Sequence, residues 1–185
     1  MRIIKLGGSL LNAQTLQYCL DNIEQRYLTN TVIVPGGGVF AEQVRLTQQH
    51  WQFDDNTAHE MALLAMQQMA LLFKGLKPNF VIVQHVAQLR RLLATPLNTP
   101  LIWSPDSDEL KQAAIGATWD ITSDSLAAWL ANTLLADDLI LVKSTPINPH
   151  LSLDELSSQG IIDRAFSGFV TNTRFKLIIS HSENF

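Results

Sequence analysis

Apolar residues along this chain follow two rhythms. Short β-branched or aromatic runs at residues 2–6 (RIIKL), 31–35 (TVIVP), 80–84, 100–103, 139–143 and 175–180 read as buried strands. Between them apolar residues recur at helical spacing. Leu16, Cys19, Leu20, Ile23 and Tyr27 predict a helix over 15–28, and Phe40, Val44 and Leu46 one from 39 to about 50. The longest pattern, 56–73, carries Ala58, Met61, Ala62, Leu64, Ala65, Met69 and Leu72. Asn56 or Thr57 is placed to cap it, with Glu60 in the capping-box position for Thr57; Gly75 is the expected stop, and Pro78 opposes resumption. Residues 86–94, an acidic start at 106–109, residues 121–135 and a short stretch after Pro146 and Pro149 complete the helices. Alternating strands and helices predict an α/β fold: a three-layer αβα sandwich with a mainly parallel central sheet.

Composition narrows the class. A chain of 185 residues with 46% hydrophobic content suffices for one domain with a substantial core, and no repeat or linker divides it. The net charge of −4 lacks the basic footprint of a nucleic-acid binder. Charged residues make up 16%, below the roughly 25% of average domains, so few ion-pair networks are expected. The single cysteine, Cys19, excludes an intramolecular disulfide and a cysteine-cluster metal site. The N-terminus reads as a strand rather than a signal peptide, and no apolar run has the length of a membrane span, so a cytoplasmic setting without a membrane partner is expected. His50, His85, His150 and His181 show no metal-ligand spacing, and no protein metal site is expected.

Candidate chemistry sits where strands end. The first strand passes through Lys5 and Leu6 to Gly7, Gly8 and Ser9; the second ends in Pro35, Gly36, Gly37 and Gly38. Glycines between a strand and a helix expose backbone N–H groups and let a ligand approach the main chain, and a helix N-terminus favours negative charge. Each cluster is an anion cradle or merely a tight turn. Two cradles on adjacent strands would face each other beyond the carboxyl ends of the sheet, where ligands of open α/β sheets bind. A pair of anionic ligands, donor and acceptor, suits phosphoryl transfer, whose catalysis is mostly positioning and charge compensation. Neither cluster has P-loop or dinucleotide-fingerprint spacing. In WDITSDSLAAWLA, Thr122 or Ser123 reads as a helix cap, and Asp124 as a first-turn carboxylate or a group that aligns lysines. Lys143 ends a strand, as a solvated lysine or as one projecting toward the same edge.

KLGGSL, VIVPGGG, the ITSDSLAAWLA helix and the DLILVKS strand, in this order, resemble the amino acid kinase family of acetylglutamate, aspartate, uridylate and isopentenyl phosphate kinases. The likeness covers roughly residues 1–145 and extends to the branch that phosphorylates an aminomethyl-furan methyl phosphate in methanofuran biosynthesis. That branch also carries an Ala-His pair, here Ala58–His59, and a W-x-ITSDSL segment, here from Trp119 to Leu126. The resemblance implies transfer of the ATP γ-phosphoryl group with Mg2+ carried on the nucleotide. Lys5 would bind the transferring group, and Gly7, Gly8 and Ser9 the ATP phosphates. Gly36, Gly37 and Gly38 would hold the acceptor's anionic group, with Trp119 and Ser123 beside it; His59 reads as a polar cap neighbour or a core histidine, or, by the branch likeness, as an acceptor contact. Asp124 would orient the lysines. The acceptor would be a small phosphorylated molecule giving a diphosphate, and homodimerisation would use the long helix, with Met61, Met66 and Met69.

Two departures qualify this. Many members carry a Thr-Asp pair after the late strand, where this chain reads Lys143, Ser144, Thr145, Pro146; and residues from about 144 to 185 are short for a nucleotide-binding part. Lys143 is expected to stand in for a second catalytic lysine. The alternatives are a binding or regulatory subunit with a degraded nucleotide site, or a kinase for another phosphate or carboxylate. Asp54 with Asp55, and Asp106 with Asp108 and Glu109, read as solvated acidic faces, and Asp137 with Asp138 as turn residues.

Overall fold

The computed structural model describes residues 1–11, 15–95 and 97–185. Six strands form one parallel sheet: β1 (Arg2–Leu6), β2 (Thr31–Pro35), β3 (Val81–Val83), β4 (Leu101–Trp103), β5 (Asp138–Lys143) and β6 (Lys176–His181), in the order β3-β4-β2-β1-β5-β6. Every pairing in it is parallel, as the strand–helix alternation requires. The helices among the described residues are α1 (Thr15–Arg26), α2 (Gly38–Trp51), α3 (Asp55–Leu76), α4 (Val86–Leu93), α5 (Ser107–Gln112), α6 (Ser123–Leu134), α7 (Leu153–Ser158) and α8 (Phe166–Val170). None is long and apolar enough to cross a membrane.

The sheet divides the core in two. Ile3, Val32, Val34, Leu139 and Leu141 face the layer that contains α4, α5, α6 and α8; Ile4, Leu6, Ile33, Ile140 and Val142 face α1. This is the period-two alternation of strands buried on both sides. Helix α3 serves both layers, Leu63 and Met66 packing into the first and Met69, Ala70 and Phe73 into the second. Met66 and Met69, expected at a subunit contact, are therefore buried in the chain's own core; the apolar side chains α3 leaves exposed include Leu64 and Leu71. Helix α6 lies tightly on the sheet because Ala127, Ala128 and Ala131, fully buried, put little bulk between helix and strands.

Several helix ends differ from expectation. The cap of α3 is Asp54, whose carboxylate accepts the Thr57 N–H at 2.9 Å and the Thr57 hydroxyl at 2.8 Å; neither Asn56 nor Thr57 caps it. Gly75 lies inside α3 and does not stop it. The segment beyond is secured instead by Lys74, whose ammonium donates to the carbonyls of Pro78 and Phe80 at 2.6 and 2.7 Å. Asp106 caps α5 by accepting the Glu109 N–H, and the Glu109 carboxylate in turn accepts the Val86 N–H at the start of α4. The carboxylates of Asp54, Asp106 and Glu109 thus complete orphan helix donors rather than serving as plain solvated faces. Asp137 pairs with the amino terminus.

Candidate functional site

Register brings the charged residues together. β1 and β5 are neighbours, with Lys5 opposite Leu141. Lys5 shares its face with Ile3, and Lys143 with Leu139 and Leu141, so both lysines point to the α6 side of the sheet, two residues out of step along it. The first turn of α6 places Asp124 between them: Lys5 Nζ lies 2.9 Å from Oδ1 and Lys143 Nζ 2.6 Å from Oδ2. The side chains of Lys5, Asp124 and Lys143 are 5%, 6% and 10% exposed. Lys143 is thus a buried member of an ion triad, not a solvated strand end. The contact with Lys143 is a directed hydrogen bond; Oδ1 has no such bond among the described residues and meets Lys5 as an ion contact.

Two ammonium groups against one carboxylate leave this buried point with a net positive charge. Burial alone would push the Asp124 carboxyl up, but Lys5 and Lys143 outweigh it and hold the group down at about 2. Burial and the nearby Lys5 charge bring Lys143 down to about 8, against the opposing pull of Asp124. The triad suits an incoming anion, which would supply the missing negative charge.

The two glycine loops touch each other. A Cβ added to Gly8 would stand 2.3 Å from Gly38 N and 2.5 Å from its Cα, so main chain meets main chain there with no room for a side chain. Gly38 itself has φ +57° at the start of α2, the left-handed region that favours glycine. The Gly7 N–H donates to Val142 O at 3.1 Å and the Gly36 N–H to Leu6 O at 2.9 Å. These two amides tie the loops to neighbouring strands and do not point to a ligand. The first cluster leads into a short 3-10 turn, Gly8–Leu11, rather than straight into a helix; the second opens directly onto the fourteen-residue α2. A helix field is therefore available at Gly38 and small at Gly8. Ser9 joins the β1 loop to the end of β5 through a 2.7 Å hydroxyl–hydroxyl hydrogen bond with Ser144, whose carbonyl lies 3.1 Å from His181 Nε2.

Asp163 is the residue most clearly missed by sequence reasoning. Thr122 stands at the N-cap of α6 but its side chain caps nothing. The Asp163 carboxylate supplies the cap from the loop between α7 and α8. It accepts the Thr122 N–H at 2.8 Å, the Thr122 hydroxyl at 2.9 Å, the Ser125 N–H at 3.0 Å and the Ser125 hydroxyl at 2.5 Å. This fixes the turn that carries Asp124. Its partners are about forty residues away in the chain (38 and 41), beyond any local spacing rule.

Two cavities flank the abutting loops. One, of about 390 Å³, has Gly36, Gly37 and Gly38 at one end and Leu63, Met66 and Leu126 on its walls. Asp55, half-buried His59, Trp119 and Ser123 also line it. Burial pushes the His59 imidazole below its ordinary value, so it is neutral at pH 7 and offers one N–H. The second cavity, of about 880 Å³, holds Lys5, Asp124 and Lys143 with Gly7, Gly8 and Ser9, and residues 157–164 form its far side. Gly8, Ser9, Arg45, Trp119 and Thr122 border both. The sequence-predicted residues thus divide between two adjoining chambers. No group of three or more His, Cys, Asp or Glu side chains among the described residues is placed to hold a metal ion, and Asp124 is already engaged by two lysines.

The model of the Amino acid kinase family matches residues 1–147. The chain belongs to the amino acid kinase family. The [5-(aminomethyl)furan-3-yl]methyl phosphate kinase of Methanocaldococcus jannaschii is 27% identical to this family member over 148 residues. The match takes in 76% of this chain, which spans about 64% of the length of that relative. Among solved structures, uridylate kinase from Archaeoglobus fulgidus superposes with a TM-score of 0.70 at 17% identity, covering 100% of this chain and 93% of its own. UMP kinase from Bacillus anthracis gives 0.70 at 14%, covering 98% and 87%. These two likenesses extend the family fold over β6 and the segment that walls the larger cavity.

Proposed function

We propose that this chain transfers the γ-phosphoryl group of ATP to a small anionic acceptor seated in the 390 Å³ cavity, with the nucleotide phosphates in the larger chamber. The observation that carries this reading is the meeting of the two chambers at Gly8 and Ser9, beside a buried triad with one uncompensated positive charge. In an in-line transfer an acceptor oxygen forms the new bond to the γ-phosphorus. The bridging P–O bond breaks and its electron pair leaves on ADP. Lys5 and Lys143 offset the charge of the transferring group, and Asp124 keeps the two ammonium groups at fixed positions. The Gly8 and Ser9 amides serve the nucleotide phosphates, and the Gly37 and Gly38 amides with the α2 N-terminus serve the acceptor.

We take the acceptor to be a phosphate monoester, a furan methyl phosphate in methanofuran-type C1-cofactor biosynthesis, giving a diphosphate. The relative's substrate motivates this, together with a cavity that joins apolar walls and an indole to an amide-rich end. A monoester oxygen is already ionised near neutral pH, so no general base has to take its proton. The neutral His59 donates its one N–H to the acceptor, and Ser123 its hydroxyl. Mg2+ would be carried to the site by the nucleotide. A homodimer would use the exposed Leu64 and Leu71, seven residues apart on α3; sedimentation at micromolar concentration tests it. The kinase reading is tested by ADP release across a panel of phosphate monoesters and carboxylates, with calorimetry of a non-hydrolysable ATP analogue alongside. Acceptor-dependent ADP release supports it. Absence of nucleotide binding at millimolar concentration with Mg2+ would instead favour a binding or regulatory subunit, consistent with the missing Thr-Asp pair after Lys143.

A further inference from the structure

We propose that Arg45 is a further catalytic residue, its guanidinium held over the face of the Trp119 indole so that its N–H groups bind the acceptor phosphate where the two cavities meet. This rests on the kinase reading above. Arg45 and Trp119 both border the small and the large chamber. The Arg45 guanidinium carbon lies 4.5 Å from the centre of the Trp119 ring. That ring is itself fixed: its indole N–H donates to Gln48 Oε1 at 2.6 Å. The Gln48 amide donates onward to Asp55 Oδ1 at 2.8 Å and to the Phe53 carbonyl at 3.2 Å. Gln48 follows Arg45 by three residues on α2, so one helix face carries the stacked cation and the side chain that orients its platform.

The stack matters for chemistry. A guanidinium resting over an aromatic face leaves its edge N–H groups free to fork onto two oxygens of one phosphate. The Arg45 charge is also available. Its ion contact with Glu42 is a loose 3.7 Å, between side chains that are 42% and 58% exposed. Lys5 and Lys143, by contrast, share Asp124 at 2.9 and 2.6 Å. During transfer the acceptor phosphate must approach an equally anionic γ-phosphate. A cation at the opening between the chambers offsets that repulsion on the acceptor side, as the lysines do on the nucleotide side.

The test uses the full chain carrying Arg45→Met, Arg45→Lys, Trp119→Leu and the Arg45→Met/Trp119→Leu pair. Steady-state ADP release is measured with ATP and [5-(aminomethyl)furan-3-yl]methyl phosphate, and calorimetry reads inorganic pyrophosphate binding in parallel. Arg45→Met should lower kcat/KM for the acceptor by roughly a hundredfold or more, the scale of losing one charge-stabilising donor, while KM for ATP moves less than about threefold. Arg45→Lys should regain under a tenth of the activity, because an ammonium neither stacks flat nor forks. Trp119→Leu should cost less than Arg45→Met, and the double variant should lose less than the product of the two single losses, since part of the indole's effect passes through the arginine. A kcat/KM within about threefold of wild type in Arg45→Met, or an equal loss in ATP affinity, overturns the assignment. If the wild-type chain releases no ADP, the kinase reading fails with this acceptor, yet Arg45 is still tested. Pyrophosphate binding weakened at least tenfold in Arg45→Met supports the anion contact, and unchanged binding overturns it.

Discussion

Replacing Asp124 by Asn keeps the shape of the triad and removes its negative charge. In the wild type the carboxyl is held at about 2, against its usual 3.8. At 1.36 kcal/mol per pKa unit this is roughly 2 kcal/mol of stability at neutral pH, present above about pH 4 and lost as pH falls toward 2. The substitution does more than forgo that stabilisation, because it leaves two ammonium groups, on side chains 5% and 10% exposed, with no counter-charge. Breaking a buried pair in this way costs about 3–5 kcal/mol. Urea unfolding followed by tryptophan fluorescence should therefore show Asp124→Asn less stable by that amount at about pH 7. Lys143 adds a pH signature of known sign. Its folded pKa, about 8, lies below the ordinary 10.5. The unfolded chain therefore binds the proton more tightly, and this group's contribution to stability rises from pH 8 to 10.5. Without Asp124 the Lys143 pKa falls further, so the lysine sheds its proton earlier and the variant recovers sooner. The gap between the two proteins should narrow between about pH 7 and about pH 9.5. A gap below about 0.5 kcal/mol at pH 7, or one that does not change with pH, would refute the charged buried triad.

Other outcomes follow from the same geometry. Lys5→Met should reduce turnover by roughly a hundredfold or more in the ADP-release assay. In the free enzyme kcat/KM for ATP should fall above about pH 8, as Lys143 loses its proton; a flat profile to pH 10 would argue against a charged Lys143. Gly8→Ala places a Cβ 2.3 Å from Gly38 N, so the two loops must separate, and stability should drop by about 1–3 kcal/mol along with activity. Asp163→Ala removes the charged acceptor of four donors at the start of α6 and should cost about 2–4 kcal/mol, read as a fall in urea midpoint, with Asp163→Asn recovering part of it.

The residues that announce themselves locally were legible in the sequence. β-branched runs marked the strands, and each of the six lies within about a residue of its expected bounds. Glycines after β1 and β2 marked places of close main-chain approach, which demands glycine in any tertiary setting; in the structure the approach at Gly8 is to Gly38 of the other loop. Asp124 and Lys5 could be nominated for a shared site by motif and by strand-end position. Helix limits were less legible: a short polar side chain can cap at several neighbouring positions, and whether Asp54, Asn56 or Thr57 does so depends on the path of the incoming chain.

By itself the sequence determined the strand–helix alternation, the two glycine edges and the charge types at the strand ends. These follow from backbone sterics and from burial patterns that act within a few residues. Only the tertiary structure decided that Lys143 is buried against Asp124, that Asp163 caps the helix carrying that carboxylate, and that Arg45 rests on Trp119 between the two chambers. Each joins residues far apart in the chain, and the energy that fixes such a pair, a charge in low dielectric or a donor without water, exists only once the fold has brought both partners out of solvent.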